Sequence, residues 1–372
     1  MREVERLTSS ELAGQLLVAG FTGTELPASI ERALRARALG GVILFTRNLP
    51  SVAAAWGLCQ GVVGASDEDF PPFIAIDQEG GRVARLKAPV LQLPPMRMLG
   101  QLDDLTLSKK LATRLAEELS ALGFNLNFAP VADVDSNPNN PVIGDRSFGN
   151  SPTLVTRHCK AFLEGFAEAG VMGCLKHFPG HGDTDKDSHF ELPQVTRSIV
   201  KLRQTEMFPF EHLARHAPAM MTAHVVYSAI DRLPATLSAR LCQGLLRKEF
   251  GFEGVLFGDD LEMAALRERW TPEQSAILSI EAGCDVLLVC SDEGIRQRIH
   301  GALVEKIEAD RPFRERSREA VIRALIQRRR FPPRPFTTLA EVNELFAAQT
   351  GSEAGRWVND QQSPKKDELK AR

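Results

Sequence analysis

No stretch of this 372-residue chain approaches the roughly 18 consecutive apolar residues that a membrane-spanning helix needs. The opening MREVERLTSSELAGQLLVAGF also lacks a basic region followed by an uninterrupted apolar run, so it does not read as a secretory signal. Both absences argue against membrane insertion and lead us to expect a cytoplasmic protein. Cysteine is scarce and scattered. Cys59, Cys159, Cys174, Cys242, Cys284 and Cys290 contain no CxxC pair and several fall in apolar runs, so they read as reduced core residues. An excess of one charge is missing too: a net charge of -3 and a pI near 6.3 offer no nucleic acid or anionic membrane a matching surface. A small neutral or anionic ligand stays open. No internal repeat is visible.

What is present is an ordinary globular composition, 43% hydrophobic and 25% charged, with ample material for a large core. Length admits two domains or one α/β barrel. Short apolar runs rich in β-branched residues decide for the barrel: LLVAGF from 16, GVILF from 41, FIAID from 73, NLNFAPVAD from 125, GCLKHF from 173, AMMTAHVVY from 219, GVLFGDD from 254 and CDVLLVC from 284. Helical periodicity separates most of them, as in LSKKLATRLAEELSALG from 107 and TRHCKAFLEGFAEAG from 156, each closed by glycine. Strands alternating with helices in this way predict a (β/α)8 TIM-type barrel with one catalytic domain over 1–335. Its closing helices fall within 295–328, RRRFPPRPF reads as a linker, and 336–372 reads as a polar, partly disordered C-terminal extension.

Catalytic residues of such a barrel gather where its strands end. Asp77 ends the third run, Asp133 the fourth, Lys176 and His177 the fifth, His224 the sixth, and Asp259 with Asp260 the seventh. The fifth run leads into KHFPGHGDTDKDSH, from Lys176 to His189. So many titratable groups among glycines and a proline form either a solvated surface loop or a site loop on a rigid scaffold. Asp259 follows VLFG, so its carboxylate stands at the mouth of an apolar strand and can serve as a nucleophile, unless it or Asp260 caps the next helix. Asp187 and His189 are close enough for the carboxylate to orient the ring as a general acid/base. His177, His181 and His189 are alternatively metal ligands, although Pro179-Gly180 prevents a helix that would align the first two. Lys176, His177, Arg85 and Arg146 are donors for sugar hydroxyls or a carboxylate, or ion-pair partners in the barrel wall.

Together these segments resemble the β-N-acetylglucosaminidase branch of glycoside hydrolase family 3, the bacterial β-hexosaminidases of cell-wall recycling. GGVILFTRN at 40, AIDQEGGRVARL at 75, NFAPVADV at 127, VIGDRSFG at 142, KHFPGHGDTDKDSH at 176, MTAHVVY at 221, PATLS at 234 and GVLFGDDLEM at 254 carry the likeness. The resemblance implies Asp259 as nucleophile, Asp260 as a structural neighbour, and His189 as acid/base held by Asp187. It implies that Asp77, Arg85, Arg146, Lys176 and His177 bind the sugar ring, with no cofactor and no metal. Retaining double displacement on GlcNAc-anhydroMurNAc muropeptides follows from it, by a monomer whose loop opens and closes about Pro179, Gly180 and Gly182. Gly258 departs from the serine or threonine that usually precedes the nucleophile. Three rival readings remain at this level: a phosphorylase of the same family, a non-catalytic sugar-binding barrel and a metal-dependent hydrolase.

Overall fold

The computed structural model describes residues 2–188, 190–350 and 353–362. The eight apolar runs form eight strands: β1 (Leu17–Ala19), β2 (Gly41–Leu44), β3 (Phe73–Ile76), β4 (Leu126–Asn127), β5 (Met172–Phe178), β6 (Ala219–Thr222), β7 (Val255–Gly258) and β8 (Val286–Val289). Each lies parallel to its neighbour in chain order, and β8 returns to β1 with Leu287 opposite Leu17, so the barrel is closed. Both faces of every strand are covered, which is why the runs are continuously apolar rather than alternating.

The period of two survives in where the side chains go. Val18, Ile43, Phe73, Ala75, Met172, Cys174, Val255 and Phe257 fill the barrel interior, while Leu17, Val42, Ile74, Leu175 and Leu256 pack outward against the helices. Phe257 meets Phe73 and Phe128 edge to face, with ring centroids 5.4 and 5.2 Å apart. Ala324 and Phe331, at the end of helix Arg311–Arg330, join the same inner cluster. This end of the barrel is therefore filled, and Arg328 lies over the Phe73 ring, 5.3 Å from its centroid.

Helix Leu105–Leu122 starts where the Asp104 carboxylate accepts the Leu107 N–H and stops where Gly123, at φ 107°, donates to Leu119 and Ser120. In the C-terminal extension, the described residues form helices Leu339–Thr350 and Glu353–Gln362, which the sequence reading did not single out. Both pack on helix Leu105–Leu122, and Val342, Phe346 and Val358 are buried. Three apolar residues spaced over two short helices are too sparse to stand out in a polar stretch. The linker is also held: the Phe336 carbonyl accepts from Trp56 Nε1 and Gln60 Nε2, each at 2.8 Å.

Candidate active site

Continuing the inward parity of the strands by one step past their ends defines the floor of a cavity. After Ala75 comes Asp77, after Cys174 comes Lys176, after Phe257 comes Asp259, and after Ile43 comes Phe45. All four line one cavity of about 210 Å³, opposite the filled end, together with Arg85, Arg146, His177, Met221 and Leu288. The structure thus brings together Asp77, Arg85, Arg146, Lys176, His177 and Asp259, drawn from four different strand ends and loops.

Lys176 is buried among carboxylates, with Nζ 2.8 Å from Asp77 and 2.6 Å from Glu79. Burial disfavours its charge, but the two carboxylates outweigh burial and raise its pKa. Glu79 was not singled out from the sequence, and it is the centre of this network. Arg146 grips it through Nε and Nη2, both at 2.9 Å. Burial opposes its ionisation, yet Arg146 and Lys176 prevail and hold its carboxyl well below the usual range. Its signal was an acid two residues beyond Asp77 in a hairpin, Gln78–Gly80 with Val83–Ala84. Gly80 and Gly81 turn that hairpin at φ 119° and 54°, values that favour glycine. The turn returns Arg85 to Asp77, at 3.4 Å. Its Nε is buried and has no hydrogen-bond partner among the described residues.

Asp133, read from the sequence as a strand-end acid, lies behind the cavity. It is fully buried and accepts from His177 Nδ1 at 2.7 Å, from the His177 amide at 3.1 Å and from the His181 amide at 2.7 Å. Burial works against this carboxylate, but His177 beside it lowers its pKa overall. An ionised Asp133 fixes the proton of His177 on Nδ1 and leaves Nε2 as the ring's other contact atom.

Asp259 lines the cavity, and its Oδ1 accepts the Asp260 N–H at 2.8 Å. Asp260 accepts from Glu262 N at 3.1 Å and Cys290 N at 3.3 Å. Burial pushes its pKa up to about 7. His224, at the end of β6, supports this turn from behind. Its Nε2 donates to the Asp260 carbonyl at 3.0 Å and its Nδ1 lies 2.7 Å from the Thr236 hydroxyl. A side chain at Gly258 would meet Leu287 and Thr236 at 3.4 Å, ordinary contact distance, so the glycine is not required by space.

His189 lies outside the described residues. Asp187 is half-buried on the loop, where its carbonyl accepts from Phe190 and Glu191 at 3.0 and 3.1 Å. Between the two, Ser188 is buried and lines the cavity. Of the three histidines in the metal reading, His189 lies outside the described residues, and among those described no group of three metal-binding side chains gathers. His177 Nδ1 is taken by Asp133, and both ring nitrogens of His181 are taken by hydroxyls, Thr184 at 2.8 Å and Ser188 at 3.0 Å.

A barrel with carboxylates and cationic donors gathered at one mouth is the layout of a TIM-barrel enzyme that binds a small polar ligand, and comparison with known proteins gives its class as a glycoside hydrolase. The Glycosyl hydrolase family 3 N terminal domain matches residues 8–324. A β-hexosaminidase of Idiomarina loihiensis is 35% identical over 92% of this chain and 99% of its own. One of Pseudomonas aeruginosa is 36% identical over 80% of this chain and 89% of its own. Among solved structures, NagZ of Neisseria gonorrhoeae in complex with N-trifluoroacetyl-D-glucosamine superposes with a TM-score of 0.80 at 32% identity, covering 94% of this chain and 98% of that one. The chain belongs to glycosyl hydrolase family 3, among its β-hexosaminidases.

Proposed function

We propose that this β-hexosaminidase is an exo-acting, retaining β-N-acetylglucosaminidase that removes terminal N-acetylglucosamine from muropeptides of the GlcNAc-anhydroMurNAc type. The observation that carries the reading is the convergence of Asp259 with Asp77, Arg85, Arg146, Lys176 and His177 in one cavity of about 210 Å³. A cavity of that size with a filled floor accepts a chain end, not a chain passing through. The sugar complex of the gonococcal relative supports the ligand class.

In this mechanism Asp77 and Lys176 hold ring hydroxyls by charge-assisted hydrogen bonds, His177 adds its Nε2, and Arg85 adds its guanidinium. Arg146 acts by fixing Glu79, which in turn fixes Lys176. Asp259 attacks the anomeric carbon while His189, oriented by Asp187, protonates the leaving oxygen. The same imidazole then takes a proton from water, which hydrolyses the aspartyl ester and releases the sugar with its configuration retained. An imidazole serves both halves because both of its protonation states are accessible near neutral pH. We place the enzyme in the cytoplasm as a monomer acting on small soluble fragments. Six buried free cysteines suit a reducing compartment, and among the described residues no helix is long and apolar enough to cross a membrane.

The testing experiment is hydrolysis of GlcNAc-anhydroMurNAc followed by proton NMR. The β-anomer of N-acetylglucosamine should appear first, and at the same rate with or without phosphate. An α-anomer as first product, or a glycosyl phosphate, would overturn the reading.

A further inference from the structure

His181 sits in the cavity wall, 2% exposed, yet no step of the proposed reaction uses it. Both ring nitrogens are already occupied. The ring spans the loop that carries the acid/base pair, meeting Thr184 on the outgoing side at 2.8 Å and Ser188 on the returning side at 3.0 Å. We infer that His181 is a positioning residue: by pinning Ser188, which lines the cavity, it holds the loop that carries Asp187 against the mouth of the barrel. The inference rests on the proposed role of Asp187 and His189.

Three observations give the ring the rigidity this requires. First, its backbone is anchored to the barrel, since Asp133 accepts the His181 N–H at 2.7 Å and Asn140 Nδ2 donates to its carbonyl at 2.8 Å. Second, the outgoing stem is clamped on both sides. Tyr227 donates to the Gly180 carbonyl at 2.6 Å, and Gly182 runs so close to Val134 that a Cβ would fall 1.6 Å from its carbonyl oxygen. Third, the two partners are hydroxyls, which donate or accept as needed. A neutral imidazole has one donor and one acceptor nitrogen, so it satisfies both in either tautomer. Burial keeps the ring in that form, lowering its pKa to about 4.

Between these fixed points Asp185 and Lys186 are exposed, and the chain becomes buried again only at Ser188. The contact from His181 to Ser188 therefore closes the loop across seven residues. Without it, the stem would remain in place while the returning side of the loop, with Asp187 and Ser188, came loose from the cavity wall.

The test uses the full chain with His181→Phe, which keeps a buried ring without nitrogens, and Ser188→Ala, which removes the partner hydroxyl. Trypsin cleavage after exposed Lys186 should be several-fold faster in both. Activity on GlcNAc-anhydroMurNAc should fall about tenfold in kcat at nearly constant KM, against less than about twofold on the 4-nitrophenyl glycoside, whose leaving group needs little protonation. The double variant should be no worse than either single one, because both remove the same contact. Unchanged cleavage after Lys186, equal losses on the two substrates, or additive losses in the double variant would overturn the inference. His189→Ala, assayed in parallel, separates the two claims. If it hurts both substrates equally, the acid/base reading fails, while the rate of cleavage after Lys186 still decides whether His181 holds the loop.

Discussion

At the scale of single residues, the site is a set of charges whose states are decided by their neighbours. Asp260 shows the sign most clearly. Burial raises its folded-state pKa to about 7, above the roughly 4 of an exposed aspartate. Between these values the folded protein binds a proton that the unfolded chain has released, so this group's contribution to stability declines as pH rises from about 4 to about 7 and then levels off. Asp260→Asn should flatten that decline, leaving stability near pH 4 unchanged and raising the melting temperature at pH 8, as measured by calorimetry. A variant less stable than the parent at pH 8 would show that the fold favours the ionised carboxylate and that its pKa is not raised. Glu79 behaves in the opposite sense, as the counter-charge of Lys176 and Arg146. Glu79→Ala leaves two buried cations short of their partner, a loss on the order of 3 kcal/mol in denaturant unfolding, with a raised KM. Full activity in that variant would remove Glu79 from the ligand-holding network.

At the scale of elements, the two-residue alternation of the strands does most of the placing. Asp77, Lys176 and Asp259 each continue a row of inward-facing apolar residues, so the strands that bury Ala75, Cys174 and Phe257 also aim three polar groups at one point. This much was legible in the sequence, because eight apolar runs and the polar residues at their ends are local patterns. Glu79 was not, since its importance comes from contacts with Lys176 and Arg146, 97 and 67 positions away in the chain. The roles of Asp133 and His181 were hidden for the same reason: a partner distant in sequence decides whether a strand-end acid or a loop histidine faces ligand or scaffold. The C-terminal helices were missed because few buried residues mark them. Phe346→Ala should therefore lower stability by about 3 kcal/mol and leave kcat on the 4-nitrophenyl glycoside unchanged. A drop in kcat at temperatures well below unfolding would tie the extension to the site.

At the scale of the whole molecule, the barrel separates stability from chemistry. Its far end is filled by Phe73, Phe257, Ala324 and Phe331, while its mouth carries the cavity and the loops. In the proposed chemistry, carboxylate and imidazole suffice for both half-reactions. Dialysis against EDTA should leave kcat within about twofold of its starting value, in line with a double displacement that needs no Lewis acid. Restoration of lost activity by a divalent metal would point to a different reaction. The central claim is that Asp259 forms a covalent bond to the sugar. Incubation with a slow fluorinated N-acetylglucosamine donor, then digestion and mass spectrometry, tests it most directly. We predict one glycosylated peptide, with the label on Asp259 and no labelling of Asp259→Asn. A label on any other residue, or turnover of the donor with no labelled peptide, would contradict the account.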